Sequence, residues 1–346
     1  MRRIAASLAA VLALALALAA AGCGDDGAEP DAPDGRAPAS ASAAEPLDLV
    51  LDFQPNAVHS GIYAAAQNGG DVDLHIQAPG ASTDAPKLLR AGRTDLAILD
   101  IHDLAIAREQ GAHLIAIAAI VQRPLAAVIA ADGSAIRDPA DLAGKRIGVT
   151  GLPSDDAVLE TVLAAGGLGL DDVDTVTVGF DAVPLMLAGK LDAATAFWNA
   201  EGVTLANRLD TREFRVDEFG APAYPELLLV TNPETLNSKR EAIEAAVAEI
   251  DAGYAEVEAD PEHGLDALIE AVPELDRDQQ QAQLQAVLPA FGENRALDSG
   301  ALFEAGRWEV EHGIVDEPFD FEEAFDFDVA PGGRGLCDGD RDRQGC

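Results

Sequence analysis

Basic residues are scarce in this chain of 346 residues. It has 23 Lys and Arg against 61 Asp and Glu, which gives a formal net charge of −38. Because proteins bind nucleic acids by neutralising phosphates with Lys and Arg, this composition argues against a nucleic-acid partner. The same charge does nothing to attract an anionic ligand, so it favours a neutral or cationic one. The acids are scattered along helical segments, which is typical of a soluble, self-repelling surface.

Cysteine is scarce as well, with three in the whole chain. Cys23 follows an uncharged run, residues 4–22, that is itself preceded by Arg2 and Arg3. A basic start, an apolar stretch and small residues before a cysteine are typical of a bacterial lipoprotein signal. We therefore predict a signal peptide over residues 1–22, lipidation at Cys23 and a place on the outer face of the cytoplasmic membrane. The alternative is an uncleaved membrane anchor, because about 20 apolar residues can span a bilayer.

Both ends of the mature chain have biased compositions. Residues 23–46 are mostly Asp, Ala, Pro, Gly and Ser, and we predict a disordered tether because they cannot bury enough surface to offset the entropy of ordering. Residues 329–346 form an acidic tail, in which Cys337 and Cys346 are expected to pair in an oxidising compartment. Its alternating Asp residues lack the Gly and distal Glu of a calcium loop, so no metal site is predicted.

From residue 47 onward, apolar strand-like runs alternate with helical patterns, which is typical of βαβ units and parallel sheets. The predicted strands are residues 47–53, 71–77, 96–99, 113–122, 128–131, 146–149, 173–178, 193–197 and 227–231. The order of the segments predicts an α/β fold with two lobes. One lobe takes residues 47–131 and 227–328, and the other takes residues 132–226. Two crossings between lobes make a hinge, so a ligand would be buried in the crevice between the lobes as they close.

Polar and aromatic side chains follow the first predicted strand. Asp52 lies on an otherwise apolar strand, where a buried unpaired carboxylate is costly, so it needs a partner or a ligand donor. Asn56 suits a turn or a helix cap, and His59 can cap, pack or face the crevice. Tyr63 comes one helical turn after His59 and offers a ring and a hydroxyl, although a core aromatic is the equal alternative. With Phe53, these residues are predicted to contact the ligand.

A second group follows the predicted strand 193–197. Trp198 is one of two Trp residues in the chain and offers a stacking plate for a planar ring. Asn199 and Glu201 add an amide and a carboxylate that can accept from an exocyclic amine. A core Trp and a helix-starting Glu are the structural alternative. By their positions after other strands, we also expect three further residues in the crevice, which are Asp100, Gly151 and Ser154.

Four stretches resemble type 2 periplasmic substrate-binding proteins of ABC transporters. They are LDFQPNAVHSGIY (51–63), LLRAGRTDLAI (88–98), LAGKRIGV (142–149) and the segments of 179–202 that end in FWNAEG. The second and third are common to many such proteins, whereas the first and last resemble the branch shared by bacterial carriers of thiamine pyrimidine precursors and the fungal pyrimidine synthase, an SsuA/NMT1-like group. The resemblance covers roughly residues 47–320.

The resemblance implies a binding protein rather than an enzyme. The fungal synthase uses an active-site His, a Lys-bound pyridoxal phosphate and a Cys-rich iron-binding stretch. This chain has four lysines, none of which lies on the strand that ends at Leu99, and the corresponding region, residues 222–231, has no Cys. We therefore expect no catalysis and no cofactor.

The expected function is that of a monomeric, lipid-anchored protein that captures a small planar heterocycle for an ABC transporter permease. The resemblance implies a formylaminopyrimidine or a hydroxymethylpyrimidine as ligand. Phe53 stands where the family more often has Trp, which leaves stacking possible. The alternatives are riboflavin or another flavin-like ring, and a surface sensor or scaffold without a transport role.

Overall fold

The computed structural model describes residues 44–80, 84–131, 135–318 and 320–332. Ten strands form two five-stranded sheets. They are β1 Glu45–Val50, β2 Val72–Gln77, β3 Leu96–Asp100, β4 Ile115–Val121, β5 Ala126–Ala131, β6 Arg146–Val149, β7 Asp174–Thr177, β8 Ala193–Phe197, β9 Thr211–Arg215 and β10 Leu227–Thr231.

Twelve α-helices accompany these strands in the described part of the chain. They are α1 Ser60–Asn68, α2 Asp84–Arg90, α3 Ile101–Glu109, α4 Pro153–Ala165, α5 Ala182–Leu187, α6 Val203–Ala206, α7 Pro233–Ser238, α8 Arg240–Ala259, α9 Pro261–Ala271, α10 Arg277–Val287, α11 Ser299–Glu311 and α12 Phe321–Ala324. None of the helices in these residues is both long enough and apolar enough to cross a bilayer.

The two sheets have the same internal plan. The first has the order β2-β1-β3-β10-β4, and the second has the order β7-β6-β8-β5-β9. In each sheet the first three strands are parallel, and a strand that arrives from the other sheet, β10 or β5, pairs antiparallel with its neighbours. We call the halves built on these sheets the first and the second lobe. The predicted two-lobed α/β fold is confirmed.

The chain passes between the lobes twice. The first crossing is residues 122–125, between β4 and β5, and the second crossing is residues 216–226, between β9 and β10. The predicted boundary at residue 131 therefore differs from the structure, because β5 pairs with β8 and β9 in the second sheet. An apolar run such as β5 is buried in either sheet, so its composition does not reveal its partner. The pairing depends on strands more than 60 residues later in the chain.

The ends of the described region also differ from the prediction. Glu45 and Pro46, assigned to the tether, begin β1 and align with Val72 and Asp73 of β2. Val329 and Ala330, assigned to the tail, are buried against the core. The predicted signal peptide, Cys23, Cys337 and Cys346 lie outside the described residues, so lipidation and the disulfide stay predictions.

Close packing of α1 on α8 fixes the chain that follows β1. A Cβ on Gly253 would come within 2.2 Å of the Gly61 carbonyl oxygen, so only glycine permits this approach. The Tyr254 ring lies over Gly61, and its hydroxyl donates to the Val58 carbonyl at 2.7 Å. Helix α8 thereby fixes the turn between β1 and α1 on one side. The other side of the turn faces the space between the lobes.

Candidate functional site

A cavity of about 150 Å³ lies between the lobes and takes its walls from both. It sits at the carboxyl ends of β1, β3, β6 and β8, which is where open α/β sheets bind their ligands. Seven of the eleven predicted ligand residues line it: Asp52, Phe53, Asn56, Asp100, Ser154, Asn199 and Glu201. The other four, His59, Tyr63, Gly151 and Trp198, are placed elsewhere.

His59 lies behind Asp52 and is completely buried. Its Nδ1 accepts from the Asn56 backbone N–H at 3.2 Å, so the ring proton is on Nε2, which donates to Asp52 Oδ1 at 2.8 Å. Asn56 Oδ1 in turn accepts from the Val58 N–H at 3.0 Å. His59 thus orients the Asp52 carboxylate toward the cavity and has no route to the ligand itself.

Tyr63 faces away from this cavity. It lines a separate surface depression together with residues of α9 and with Glu274. Burial, and secondarily the Glu274 charge, raise the pKa of Tyr63 to about 12. The structure therefore places Tyr63 between α1 and α9 rather than against a ligand between the lobes.

The second lobe contributes a π-helical turn, Trp198–Gly202, directly after β8. Such turns are rare and often occur at functional sites, because they re-aim side chains that a regular helix would stack. Asn199 is 1% exposed, and its Oδ1 has no hydrogen-bond partner among the described residues. Glu201 is partly exposed, and burial raises the pKa of its carboxyl despite backbone N–H groups that favour the charged form. Both side chains offer acceptors to the cavity.

Trp198 does not face the cavity. It is 2% exposed, and its Nε1–H donates to the Pro124 carbonyl of the first crossing at 3.0 Å. The Arg215 guanidinium lies 4.0 Å from the ring centroid. Trp198 therefore joins β8 and β9 to the first crossing, which is the structural alternative raised by the sequence.

Two phenylalanines supply aromatic rings at the cavity instead. Phe53 of the first lobe and Phe180 of the second meet edge to face, with ring centroids 4.8 Å apart and an interplanar angle of 83°. Phe180 is 50% exposed, which is unusual for so large an apolar side chain. The sequence prediction missed Phe180, although its apolar side chain between Gly179 and Asp181, in a loop after a strand, was a visible signal.

Gly151 belongs to a loop that is organised by Asp155. Asp155 Oδ2 accepts from the backbone N–H of Thr150 at 2.8 Å and of Gly151 at 3.2 Å, and its Oδ1 accepts from Thr195 Oγ1 at 2.7 Å. These N–H groups would otherwise attract an anion at the start of α4. The carboxylate of Asp155 occupies them, so this end of the cavity offers nothing to a phosphate or a sulfonate.

The sequence Asp-Ile-His-Asp at the end of β3 places a buried polar cluster at the first-lobe wall. Asp100 Oδ1 caps α3 by accepting from the His102 N–H at 2.7 Å. The His102 ring contacts Glu309 Oε1 through Nδ1 at 2.7 Å and the Tyr224 hydroxyl through Nε2 at 3.2 Å. Burial lowers the pKa of His102, but the carboxylates of Asp100, Glu309 and Glu226 outweigh it and raise the pKa to about 9. At neutral pH the ring is an imidazolium that donates from both nitrogens.

Glu226 completes this cluster from the second crossing. It is fully buried, and its Oε2 accepts from the backbone N–H groups of Leu125 and Ala126, at the junction of the first crossing and β5. Its Oε1 has no hydrogen-bond partner in the described part of the chain. Burial, and then the charge of Asp100, raise the pKa of Glu226 well above its usual range. Sequence reasoning missed Glu226 because nothing local distinguishes it from other acids in this chain.

Asp100, His102 and Glu226 each offer an atom to a common centre, since these atoms lie within 4.8 Å of one another. Zinc and similar ions bind the lone pair of a neutral imidazole. Both nitrogens of His102 are engaged and protonated, so this arrangement does not suit a metal ion.

The charge of the lining is strongly one-sided. Six carboxyl side chains line the cavity, and no Lys or Arg does; they are Asp52, Asp100, Asp103, Asp155, Glu201 and Glu226. The charge of His102 is directed toward Glu309, behind the wall. The site therefore favours a ligand that donates hydrogen bonds or carries positive charge, and it disfavours anions.

The family model described as NMT1/THI5 like matches residues 56–264, which is more than half of the chain. The chain belongs to the NMT1/THI5-like family. The resemblance inferred from the sequence is thereby confirmed, and the matched region contains most of the cavity.

Two relatives in the family have different activities. The formylaminopyrimidine-binding protein of Halalkalibacterium halodurans is 27% identical over 297 residues, which cover 82% of this chain and 90% of that protein. The 4-amino-5-hydroxymethyl-2-methylpyrimidine phosphate synthase THI5 of Saccharomyces cerevisiae is 25% identical over 262 residues, which cover 71% of this chain and 76% of that protein. Membership of the family thus leaves both a carrier and an enzyme open.

Solved structures confirm the fold. The alkanesulfonate-binding protein SsuA from Xanthomonas axonopodis pv. citri, bound to MOPS, is similar with a TM-score of 0.64 and 17% identity, covering 79% of this chain and 95% of that chain. At this identity the likeness shows the periplasmic binding protein fold alone. The ligand must be argued from the lining of this chain's own cavity.

Proposed function

We propose that this protein is an extracytoplasmic substrate-binding protein of an ABC importer that captures a thiamine pyrimidine precursor, either a formylaminopyrimidine or a hydroxymethylpyrimidine. Anchoring through a lipid on Cys23 and delivery to a permease are parts of the proposal. One observation carries it: acceptor side chains and aromatic rings from both lobes converge on a cavity at the ends of the sheets. An amino-substituted ring supplies donors to the many acceptors of this lining.

The cavity volume favours a single ring. A cavity of about 150 Å³ is the size that holds benzene in an engineered protein core. A pyrimidine with short substituents fits with modest opening of the lobes, whereas a three-ring flavin requires a much wider crevice. The volume therefore supports the pyrimidine proposal over the riboflavin alternative.

The lining suggests which side chains contact an aminopyrimidine. Phe53 and Phe180 meet edge to face at the cavity, so one of the two rings can stack on the face of the pyrimidine. The unpartnered Asn199 Oδ1 and the Glu201 carboxyl accept from the exocyclic amine. A hydrogen bond to a charged acceptor contributes about 1.5 to 3 kcal/mol. Because the groups come from both lobes, a ligand that satisfies them stabilises the closed form.

The same geometry supports a carrier rather than a synthase. Among the described residues that line the cavity there is no lysine, the side chain that holds pyridoxal phosphate as an imine. His59 is buried behind Asp52 with both ring nitrogens engaged. A His in that position orients a neighbour and is not available to a reacting ligand.

Mass spectrometry of what co-purifies with the mature protein tests this proposal directly. A pyrimidine bearing an amino group is the expected finding, and Glu201→Gln should bind it roughly tenfold more weakly, which is the value of one charge-assisted hydrogen bond. Glu293→Gln, which changes an exposed carboxylate outside the cavity lining, is the matched control and should bind as the unmodified protein does. Binding of riboflavin but of no pyrimidine would overturn the assignment, and so would an unchanged affinity in Glu201→Gln.

A further inference from the structure

Three carboxyl groups crowd the first-lobe wall of the cavity, and burial raises the pKa of two of them, Asp103 and Glu226. Asp100, Asp103 and Glu226 all line the cavity there. The nearest cation is His102, and its two N–H groups donate to Glu309 and Tyr224 rather than to these three carboxyl groups. Among the described residues no Lys or Arg lines this wall.

One carboxylate oxygen in this wall, Oε1 of Glu226, has no hydrogen-bond donor among the described residues. Glu226 is 0% exposed, and its Oε2 is held by two backbone N–H groups of the other chain crossing. Its Oε1 is equally buried and has no donor among the described residues, because the Asp100 carboxyl beside it is itself an acceptor unless one of the two carboxyl groups keeps a proton. A buried carboxylate oxygen without a donor is costly, so this arrangement is stable only when a donor or a cation enters the cavity, or when the carboxyl keeps a proton.

We propose that Asp100, Asp103 and Glu226 form a subsite for a protonated amine, so that the protein binds an aminopyrimidine with an aminomethyl arm in preference to one with a hydroxymethyl or formylaminomethyl arm. The inference rests on the proposed function and extends its ligand class to the aminomethyl form. Asp100 and Glu226 offer carboxyl oxygens within 4.8 Å of each other, and Asp103 lines the same wall, so the donors of an ammonium group have carboxyl acceptors there. Asn199 and Glu201, on the second-lobe wall, accept hydrogen bonds from the amino group on the ring. The ammonium arm lies against the first-lobe wall.

A metal ion is the competing occupant, and the geometry disfavours it. Once His102 is discounted, Asp100 and Glu226 are the two groups of this cluster that remain as metal ligands, and Asp103, in the first turn of α3, is not part of the cluster. An ammonium group needs no lone pair from an imidazole. It also replaces a proton on Glu226 without any change in the hydrogen bonds that hold Oε2.

The position of Glu226 gives the subsite a second consequence. Glu226 ends the second crossing and binds the N–H groups of Leu125 and Ala126, where the first crossing ends. Arg123 and Asp217 join the same two crossings with an ion pair at 2.5 Å. A cation bound to Glu226 Oε1 therefore lies beside the two crossings that form the hinge. There it stabilises the closed conformation, in which the lobes cover the ring of the ligand.

Calorimetric titration with three matched ligands tests the proposal. They are one aminopyrimidine ring carrying an aminomethyl, a hydroxymethyl or a formylaminomethyl arm. At pH 8 we expect the aminomethyl compound to bind at least about tenfold more tightly than the hydroxymethyl compound, as a charge-assisted contact predicts. Asp100→Asn, which keeps an acceptor for the α3 cap, should remove this preference. Asp156→Asn, an exposed neighbour on α4, removes the same charge and should keep the preference.

The proton balance gives an independent readout. Since burial and neighbouring acids raise the pKa of Glu226 and of Asp103, the ammonium arm displaces protons when it binds. Titrations in buffers with different heats of ionisation should show proton release for the aminomethyl compound and none for the hydroxymethyl compound. Other titratable groups packed around the wall are Asp52, His102, Asp155, Tyr224 and Glu309.

Each other outcome overturns the inference. Equal affinity for the aminomethyl and hydroxymethyl compounds contradicts the ammonium subsite while the pyrimidine function stands, and failure of all three to bind contradicts both. Affinity that depends on zinc or manganese and is abolished by EDTA shows a metal site instead. If Asp100→Asn does not fold by circular dichroism, Asp103→Asn takes its place with the same expected loss of preference, because Asp103 does not cap α3.

Discussion

At the scale of single residues, the site is built from carboxyl groups that the fold holds at a cost. Asp103 illustrates this because burial, and then the charge of Asp100, raise its pKa to about 8. A carboxyl with a raised pKa in the folded state favours folding only while it is protonated. Ligand-binding residues often carry such a cost, since stability and function make different demands on one position.

Asp103→Asn should therefore stabilise the ligand-free protein. Above the unfolded pKa of Asp, near 4, the unfolded chain loses the proton while the folded protein keeps it up to about pH 8, so each rise in pH in this window weakens folding. The variant removes this penalty. Melting temperatures at pH 5 and pH 8.5 should show a gain over the unmodified protein that is larger at pH 8.5. A gain of the same size at both values would contradict the assigned pKa shift.

At the scale of elements, the turn after β8 contains both structural residues and ligand-contacting residues, which the sequence prediction had assigned together to the ligand. Trp198 begins the π-helical turn and points back to Pro124, whereas Asn199 and Glu201 point into the cavity. The aromatic surface of the cavity comes from Phe53 and Phe180, on loops after β1 and β7. Stability and ligand contact are thus carried by different aromatic residues.

Two substitutions distinguish these roles. Phe180→Ala should leave the melting temperature nearly unchanged, because the ring is half exposed, and weaken ligand binding by about three- to tenfold, the value of an aromatic contact. Trp198→Phe should do the reverse, because it removes the donor to the Pro124 carbonyl and part of a buried ring, which costs about 1 to 3 kcal/mol of folding free energy. Calorimetry and thermal melts on both variants would show whether the effects separate. A loss of affinity in Trp198→Phe without loss of stability would restore Trp198 as a ligand contact.

The strands at the centre of each sheet could be predicted, and their partners could not. Residues 146–149, 193–197 and 227–231 were predicted with the bounds of β6, β8 and β10. These runs are mostly apolar because both faces of the sheets are covered. β9, Thr211–Arg215, was missed because it is a polar edge strand with four charged or hydroxyl side chains among five residues. The sheet to which β5 belongs depends on contacts far along the chain.

The candidate site could be predicted where a side chain follows a strand directly. Asp52, Asp100 and Asn199 were found in this way, because the carboxyl ends of parallel strands meet at one edge. Glu226 precedes a strand, and Phe180 comes three residues after β7, so neither follows a strand directly. Tyr63 and Trp198 were assigned to the ligand from residue type and position, Tyr63 one helical turn after His59 and Trp198 directly after β8. The helices and the crossing that pack against these two residues turn their side chains away from the cavity.

At the scale of the whole molecule, the pH dependence of stability follows from the buried cluster. The pKa of His102 is raised to about 9, so its stabilising effect is complete below pH 6.5 and is lost as pH rises through 9. Ionisation of Asp103 and Glu226 acts in the same direction, since their pKa values are raised too. The ligand-free protein should melt at a lower temperature at pH 9 than at pH 6.

His102→Gln should flatten this dependence, because Gln carries no titrating charge against Glu309 and Tyr224. The general repulsion of a chain with a net charge of −38 also grows with pH, but salt screens it, whereas the buried cluster is screened much less. Melts at low and high salt separate the two contributions. A pH dependence that disappears in high salt would assign the effect to the surface and not to His102.

The central claim is that this anionic, ring-sized cavity takes a pyrimidine, although the fold is shared with a sulfonate-binding protein. The most direct measurement is calorimetric titration of the mature protein with an aminopyrimidine carrying a hydroxymethyl or formylaminomethyl arm, and in parallel with MOPS. The account predicts a dissociation constant in the micromolar range or tighter for the pyrimidine and no measurable binding of the sulfonate. Binding of MOPS without binding of either pyrimidine would contradict it.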